Sequence, residues 1–173
     1  MIINVSLFLN ILLLDFIKAA GEKDWSFVKQ MKYDYMIDVN FKNENERNAL
    51  LEASNQGRLD VVQGLLNETN LDVQSIDRNG TNALHVACKN GHLGIVKVLR
   101  SRINVNTENN EGFSAIYLAV RNGHREVVEE MLKDDNVVVC NRTMTAASNR
   151  ESIQAILVKF QGSKNESMLR KYI

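Results

Sequence analysis

The chain has 173 residues, 45% of them apolar, enough for one domain with a core of its own. Its 21 basic and 21 acidic side chains cancel, so the overall charge points neither to nucleic acid nor to an anionic membrane surface. The two cysteines, Cys88 and Cys140, are too few and too far apart for a disulfide framework or a thiolate metal site, which suits a reducing compartment.

The chain opens on an apolar run, MIINVSLFLNILLL, that is too short to span a bilayer. It reads as an extended capping helix, with the apolar part of a secretory leader as the alternative. No basic residue precedes the run, and Asp15 and Lys18 stand where a small-residue cleavage site belongs. Only under the alternative would Asn-x-Ser/Thr sequons such as those at Asn67 and Asn141 acquire meaning. Phe16 to Met31, FIKAAGEKDWSFVKQM, is then the first weak copy of a pattern that recurs along the chain, with Trp25, Phe27, Val28 and Met31 in second-helix positions.

The pattern sharpens in LLEASNQGRLDVVQGLL, Leu50 to Leu66, and is clearest in DRNGTNALHVACKNGHLGIVKVL, Asp77 to Leu99. Asn109 to Leu132, NNEGFSAIYLAVRNGHREVVEEML, repeats that stretch 32 residues later almost position for position. A degenerate copy, MTAASNRESIQAILVKF, ends at Phe160, with Ile156 and Phe160 standing in for the usual apolar residues. One alanine position falls at Ala19, Ala53, Ala87 and Ala119, spaced 34, 34 and 32 residues, and Ala147 follows after 28. Such a period predicts a solenoid.

Within the unit, Asp77 to Gly80 has the Asp-first, Gly-last pattern of a type I turn. Leu84, Ala87 and Cys88 then share a helical face, and Asn90-Gly91 offers a left-handed stop, as do Gly57 and Gly123 in their copies. A second short helix buries Ile95, Val96 and Leu99. Each helix is too short to stand alone in water, so every unit leans on its neighbours. Ala53, Ala87 and Ala119 allow close helix approach, and the pairs Val61-Val62, Ile95-Val96 and Val127-Val128 fill the layer between units.

The middle copy, with Asp77, Gly80, Asn82, Ala83, Leu84, His85, Ala87, Gly91, His92, Ile95 and Val96, resembles the ankyrin-repeat signature Asp-x-x-Gly-x-Thr-Pro-Leu-His-x-Ala, Gly-His, Val-Val. The resemblance implies an all-α solenoid of stacked helix-turn-helix units with short hairpin turns, three full repeats between two degenerate caps. The expected divisions are a capping repeat with its apolar extension at 1–42, repeats at 43–76, 77–108 and 109–136, a degenerate cap at 137–161 and a frayed tail at 162–173. Asn48, Asn82 and Ser114 replace the family's threonine, and Ala49, Ala83 and Ala115 its proline, so helix starts are expected to be looser.

No nucleophile, base and orienter converge, and there is no phosphate loop or paired metal-ligand motif, so neither an enzyme nor a cofactor is expected. His85, His92 and His124 fall on signature positions and read as turn-holding residues. Cys88 reads as inert packing, and Cys140 as a surface thiol without an identified partner.

By resemblance, partners bind the concave side. The matching tip positions here are Arg47, then Arg78, Asn79 and Thr81, then Asn110, Glu111 and Phe113. The helix-edge positions are Asn55 and Gln56, Lys89 and Asn90, Arg121 and Asn122. These vary between copies while fold-holding positions recur. Phe113 stands out as an aromatic anchor, and Arg78, Lys89 and Arg121 suggest a basic groove opposite an acidic second helix carrying Glu126, Glu129 and Glu130. The expected function is therefore a non-enzymatic protein-interaction module, an adaptor, scaffold or inhibitor. It would act as a cytoplasmic monomer whose partner is a protein with an acidic surface, with no nucleic acid or membrane involved. The alternative is a regulatory or ligand-sensing segment of a larger enzyme or channel.

Overall fold

The computed structural model describes residues 5–170, with side chains described for 9–164; residues 1–4 of the apolar run and 171–173 of the tail lie outside the described residues. Among the described residues, ten helices form two layers. The inner layer stacks α1 (Val5–Glu22), α3 (Ala49–Asn55), α5 (Ala83–Asn90), α7 (Ala115–Asn122) and α9 (Asn141–Ala146) in succession. The outer layer stacks α2 (Trp25–Tyr35), α4 (Leu59–Leu65), α6 (Leu93–Leu99), α8 (Arg125–Met131) and α10 (Glu151–Arg170). The turns contribute only isolated antiparallel bridges, Ile76 with Asn82 and Glu108 with Ser114. This is the solenoid that the period predicted and the all-α architecture that the resemblance implied.

Burial follows from that stacking. Helix α5 was expected to bury one face; instead Ala83, Leu84, His85, Val86, Ala87 and Cys88 are all buried. An inner helix is flanked by both neighbouring inner helices and backed by its own partner, so little of its circumference meets water. The three alanines of the repeat register and the three β-branched pairs are buried as their positions required.

Helix starts are closed by side chains where proline is missing. Asn48 Oδ1 accepts from the Leu51 amide and Asn82 Oδ1 from the His85 amide, both at 3.0 Å, and Ser114 Oγ accepts from the Tyr117 amide at 3.4 Å. At the other end, Gly91 sits at φ 76° and Gly123 at φ 80° as left-handed caps of α5 and α7. Helix α3 ends one residue earlier, capped by Gln56, with Gly57 following at φ 74°.

The turn tips share one device. Asn43, Asp77 and Asn109 each accept, through Oδ1, two backbone amides two and four residues on. The fourth tip residue is left-handed each time: Gly80 at φ 70°, Gly112 at φ 71°, but Glu46 at φ 58°. A side chain at that φ costs roughly 1 kcal/mol, so Glu46→Gly should raise stability by about 0.5–1 kcal/mol. Chemical denaturation of the two proteins measures this directly, and a lower midpoint for the variant would contradict it.

The ends depart from expectation. In the N-terminal cap Val28 is buried, and the Trp25 ring lies where a Cβ on Gly64 would stand, only 2.1 Å from the nearest ring atom. Phe27, however, is 50% exposed, because it points off the face that α4 covers. In the C-terminal cap Ile153 and Leu157 fill the core, while Ile156 and Phe160 are only partly buried. The apolar stripe of α10, which packs on α8, therefore runs through residues three positions earlier than the repeat pattern placed it. Residues 162–170, expected to fray, continue α10, whose Gln161 and Lys164 donate to the carbonyls of Val139 and Val137 at 3.3 and 2.8 Å.

Candidate functional site

The concave side is built from three rungs set by the helix caps. Immediately before the cap stand Arg47, Thr81 and Phe113; four residues after it stand Glu52, Val86 and Leu118; seven after it stand Asn55, Lys89 and Arg121. Between the tips and the inner helices all of these except Glu52 line a groove of about 340 Å³ that draws on three successive repeats.

Nine of the residues singled out in the sequence line it. They are Arg47 and Asn55 from the first repeat, Asn79, Thr81 and Lys89 from the second, and Glu111, Phe113, Arg121 and Asn122 from the third. Four do not. Asn90 donates to the Asn55 backbone and side-chain oxygens at 3.0 and 3.1 Å, and Asn110 donates to the Arg78 carbonyl at 3.0 Å. Gln56 donates to Glu52 at 3.0 Å, and Arg78 is exposed outside the lining.

Sequence reasoning missed Asp77, Val86, Asn109 and Leu118, which also line the groove. Val86 and Leu118 share a position that changes from glutamate to valine to leucine between copies, the same variability signal, present in the middle of the helix rather than at its edge. Asp77 and Asn109 recur as tip residues, so variation could not have marked them.

The two ends of the groove differ electrostatically. Arg47 lies 3.2 Å from Glu52 and 3.9 Å from Asp77, so its charge is balanced internally. At the other end Phe113 stacks on Tyr117, with ring centroids 4.5 Å apart. The guanidinium carbons of Arg121 and Arg142 lie 5.6 and 5.5 Å from the Phe113 centroid. Neither Lys89 nor Arg121 forms an ion pair among the described residues. The acidic helix expected opposite is largely neutralised: Glu130 is buried between Arg100 at 3.0 Å and Lys133 at 2.7 Å, and Glu129 pairs with Arg125 at 2.9 Å. The Lys133 hydrogen bond, aided by Arg100, holds the Glu130 carboxyl below its ordinary range.

The histidines link repeats. His92 Nε2 lies 3.1 Å from the Asn55 carbonyl and His124 Nε2 2.9 Å from the Lys89 carbonyl, each ring seated over the glycine that follows the preceding inner helix. His85, 1% exposed, accepts from the Asn82 amide through Nδ1 at 3.3 Å and donates from Nε2 to the Thr107 carbonyl at 2.8 Å. Burial lowers its pKa from the ordinary value. Above pH of about 6.5 the ring is neutral in folded and unfolded chains alike; below it the unfolded chain takes the proton first, so stability falls with pH. Denaturation midpoints across this range should drop on acidification, and drop less in His85→Gln.

Cys88 is buried, which pushes its thiol pKa up. At Cys140 partial burial opposes ionisation, but hydrogen bonds from Thr143 and neighbouring amides outweigh it and lower the pKa. Among the described residues no group of His, Cys, Asp and Glu is placed to hold a metal ion, and no helix is long and apolar enough to cross a membrane.

A family model described as ankyrin repeats, three copies, matches residues 16–109 and 71–143. No curated protein matches the chain. With the family match spanning most of its length and five helix pairs stacked at the matching period, this chain belongs to the ankyrin-repeat family.

Proposed function

We propose that the chain is a non-catalytic protein-binding module, an adaptor, scaffold or inhibitor, that holds its partner in the concave groove. It acts as a monomer in the reducing cytoplasm, where both cysteines stay free. Membership of a family of protein-interaction modules supports the general reading. The observation that carries the concave site is the contrast along the groove: caps, glycine stops and buried pairs recur from repeat to repeat, while the rungs facing the groove differ in size and charge.

The test is differential capture. Proteins retained by the wild-type chain should be lost on Lys89→Glu with Arg121→Glu, yet retained by Lys97→Glu with Arg102→Glu, which changes net charge equally on exposed positions outside the groove. Equal capture by both variants would place the partner elsewhere.

The presence of Phe113, Lys89 and Arg121 in one groove also favours a second reading, a ligand-sensing segment that holds a small phosphate-bearing molecule. In that case a nucleotide such as ATP should raise the melting temperature of the isolated chain in a concentration-dependent way.

A further inference from the structure

The groove is charge-balanced at one end and open at the other. In the first repeat Arg47 lies within ion-pair distance of Glu52 and Asp77, although its buried Nε and Nη2 make no hydrogen bond. In the third repeat the corresponding rung is Phe113, with Leu118 beneath it and Arg121 beyond. Lys89 stands one repeat earlier at the same rung as Arg121, on the adjacent inner helix.

A cation in the last turn of each helix is favoured by the exposed carbonyls there, which accounts for Lys89 and Arg121 singly. It does not account for the apolar surface beside them, where Val86 and Leu118 form the floor and the Phe113 ring forms the wall. Two like charges on neighbouring helices, neither with a carboxylate, are relieved by an anion between them. Glu111 lies at the tip end of the same groove and enters no ion pair among the described residues, so it repels an anion there and directs it toward the helix ends.

We infer that the occupant is an extended segment of a partner protein carrying Asp or Glu next to an apolar residue. The carboxylate lies between Lys89 and Arg121, and the apolar side chain packs on Phe113. This rests on the reading of the groove as the partner site. Because the formal net charge is zero, affinity for an acidic segment has to arise from this local pair rather than from the chain as a whole.

The experiment is selection of phage-displayed random dodecapeptides on the full chain. Enriched sequences should pair an acidic with an adjacent apolar residue. Synthetic copies should bind at least about tenfold more weakly to Lys89→Glu with Arg121→Glu, should weaken with salt, and should bind the Lys97→Glu, Arg102→Glu control as they bind wild type. Circular dichroism melts establish that the variants are folded. Enrichment of neutral or basic sequences, no enrichment at all, or equal loss in the control overturns the inference. If cellular partners still depend on Lys89 and Arg121 in that event, the concave site stands and only the acidic, apolar chemistry is wrong. If they do not, both fail.

Discussion

Gly91→Val is expected to cost about 2–4 kcal/mol, from a left-handed backbone penalty for a β-branched residue together with steric conflict. Gly91 sits at φ 76°, and an ideal Cβ there stands 2.5 Å from His124 Nδ1. Valine would therefore have to strain the backbone and also displace the ring whose Nε2 donates to the Lys89 carbonyl of the preceding repeat. Both effects act at the junction between the second and third full repeats, so the damage is to the coupling of units as well as to one turn. Denaturant titration should show a lower midpoint, with the transition broadening as repeats begin to unfold separately. Gly91→Asn, a residue that tolerates left-handed backbone, should lose less. An unchanged midpoint for the valine variant would mean that α5 ends by another route.

Leu84→Ala should cost about 2–5 kcal/mol, the range for deleting a buried leucine side chain and leaving a cavity. Leu84 is 1% exposed in α5, which packs on α3, α7 and α6, so collapse around the vacancy would have to move three elements at once. Phe113→Ala provides the contrast. The residue is half-buried against Tyr117, Arg121 and Arg142 rather than free in solvent, so its removal should cost about 1 kcal/mol, more than the negligible loss expected of an exposed anchor. Its larger effect should fall on partner binding, by about 2 kcal/mol. Thermal melts and binding titrations on the two variants separate the roles. A Phe113→Ala protein that melts earlier than Leu84→Ala would invert the assignment of core and groove.

Much of the scaffold can be read from spacing alone, for identifiable reasons. Glycine at 91 and 123 marks a helix end because few other residues accept that φ, and asparagine or serine at 48, 82 and 114 marks a helix start because its side chain satisfies an amide the helix leaves unpaired. Next to the alanines that stand in for proline, these side-chain caps are all in place. A further period went unread: Asp38, Asp72, Asn104 and Asp134 each accept the amide two residues on through Oδ1, at spacings the repeat register already contained.

By itself the sequence determined the unit, its period, its helix ends and the core positions that recur in the three full repeats, because all of these follow from interactions within one repeat and from periodicity along a helix. Which variable residues remain available for recognition was decided only by the tertiary structure. Asn90 and Asn110 are drawn into hydrogen bonds with the preceding repeat, and Arg47 stands between Glu52 of its own repeat and Asp77 of the following one. Lys89 and Arg121 are left open, and Ile153 and Leu157, not Ile156 and Phe160, seal the end. Each of these outcomes depends on the small rotation and offset between stacked units, which brings residues some 30 positions apart into or out of reach, and residue spacing along the chain carries no record of that offset.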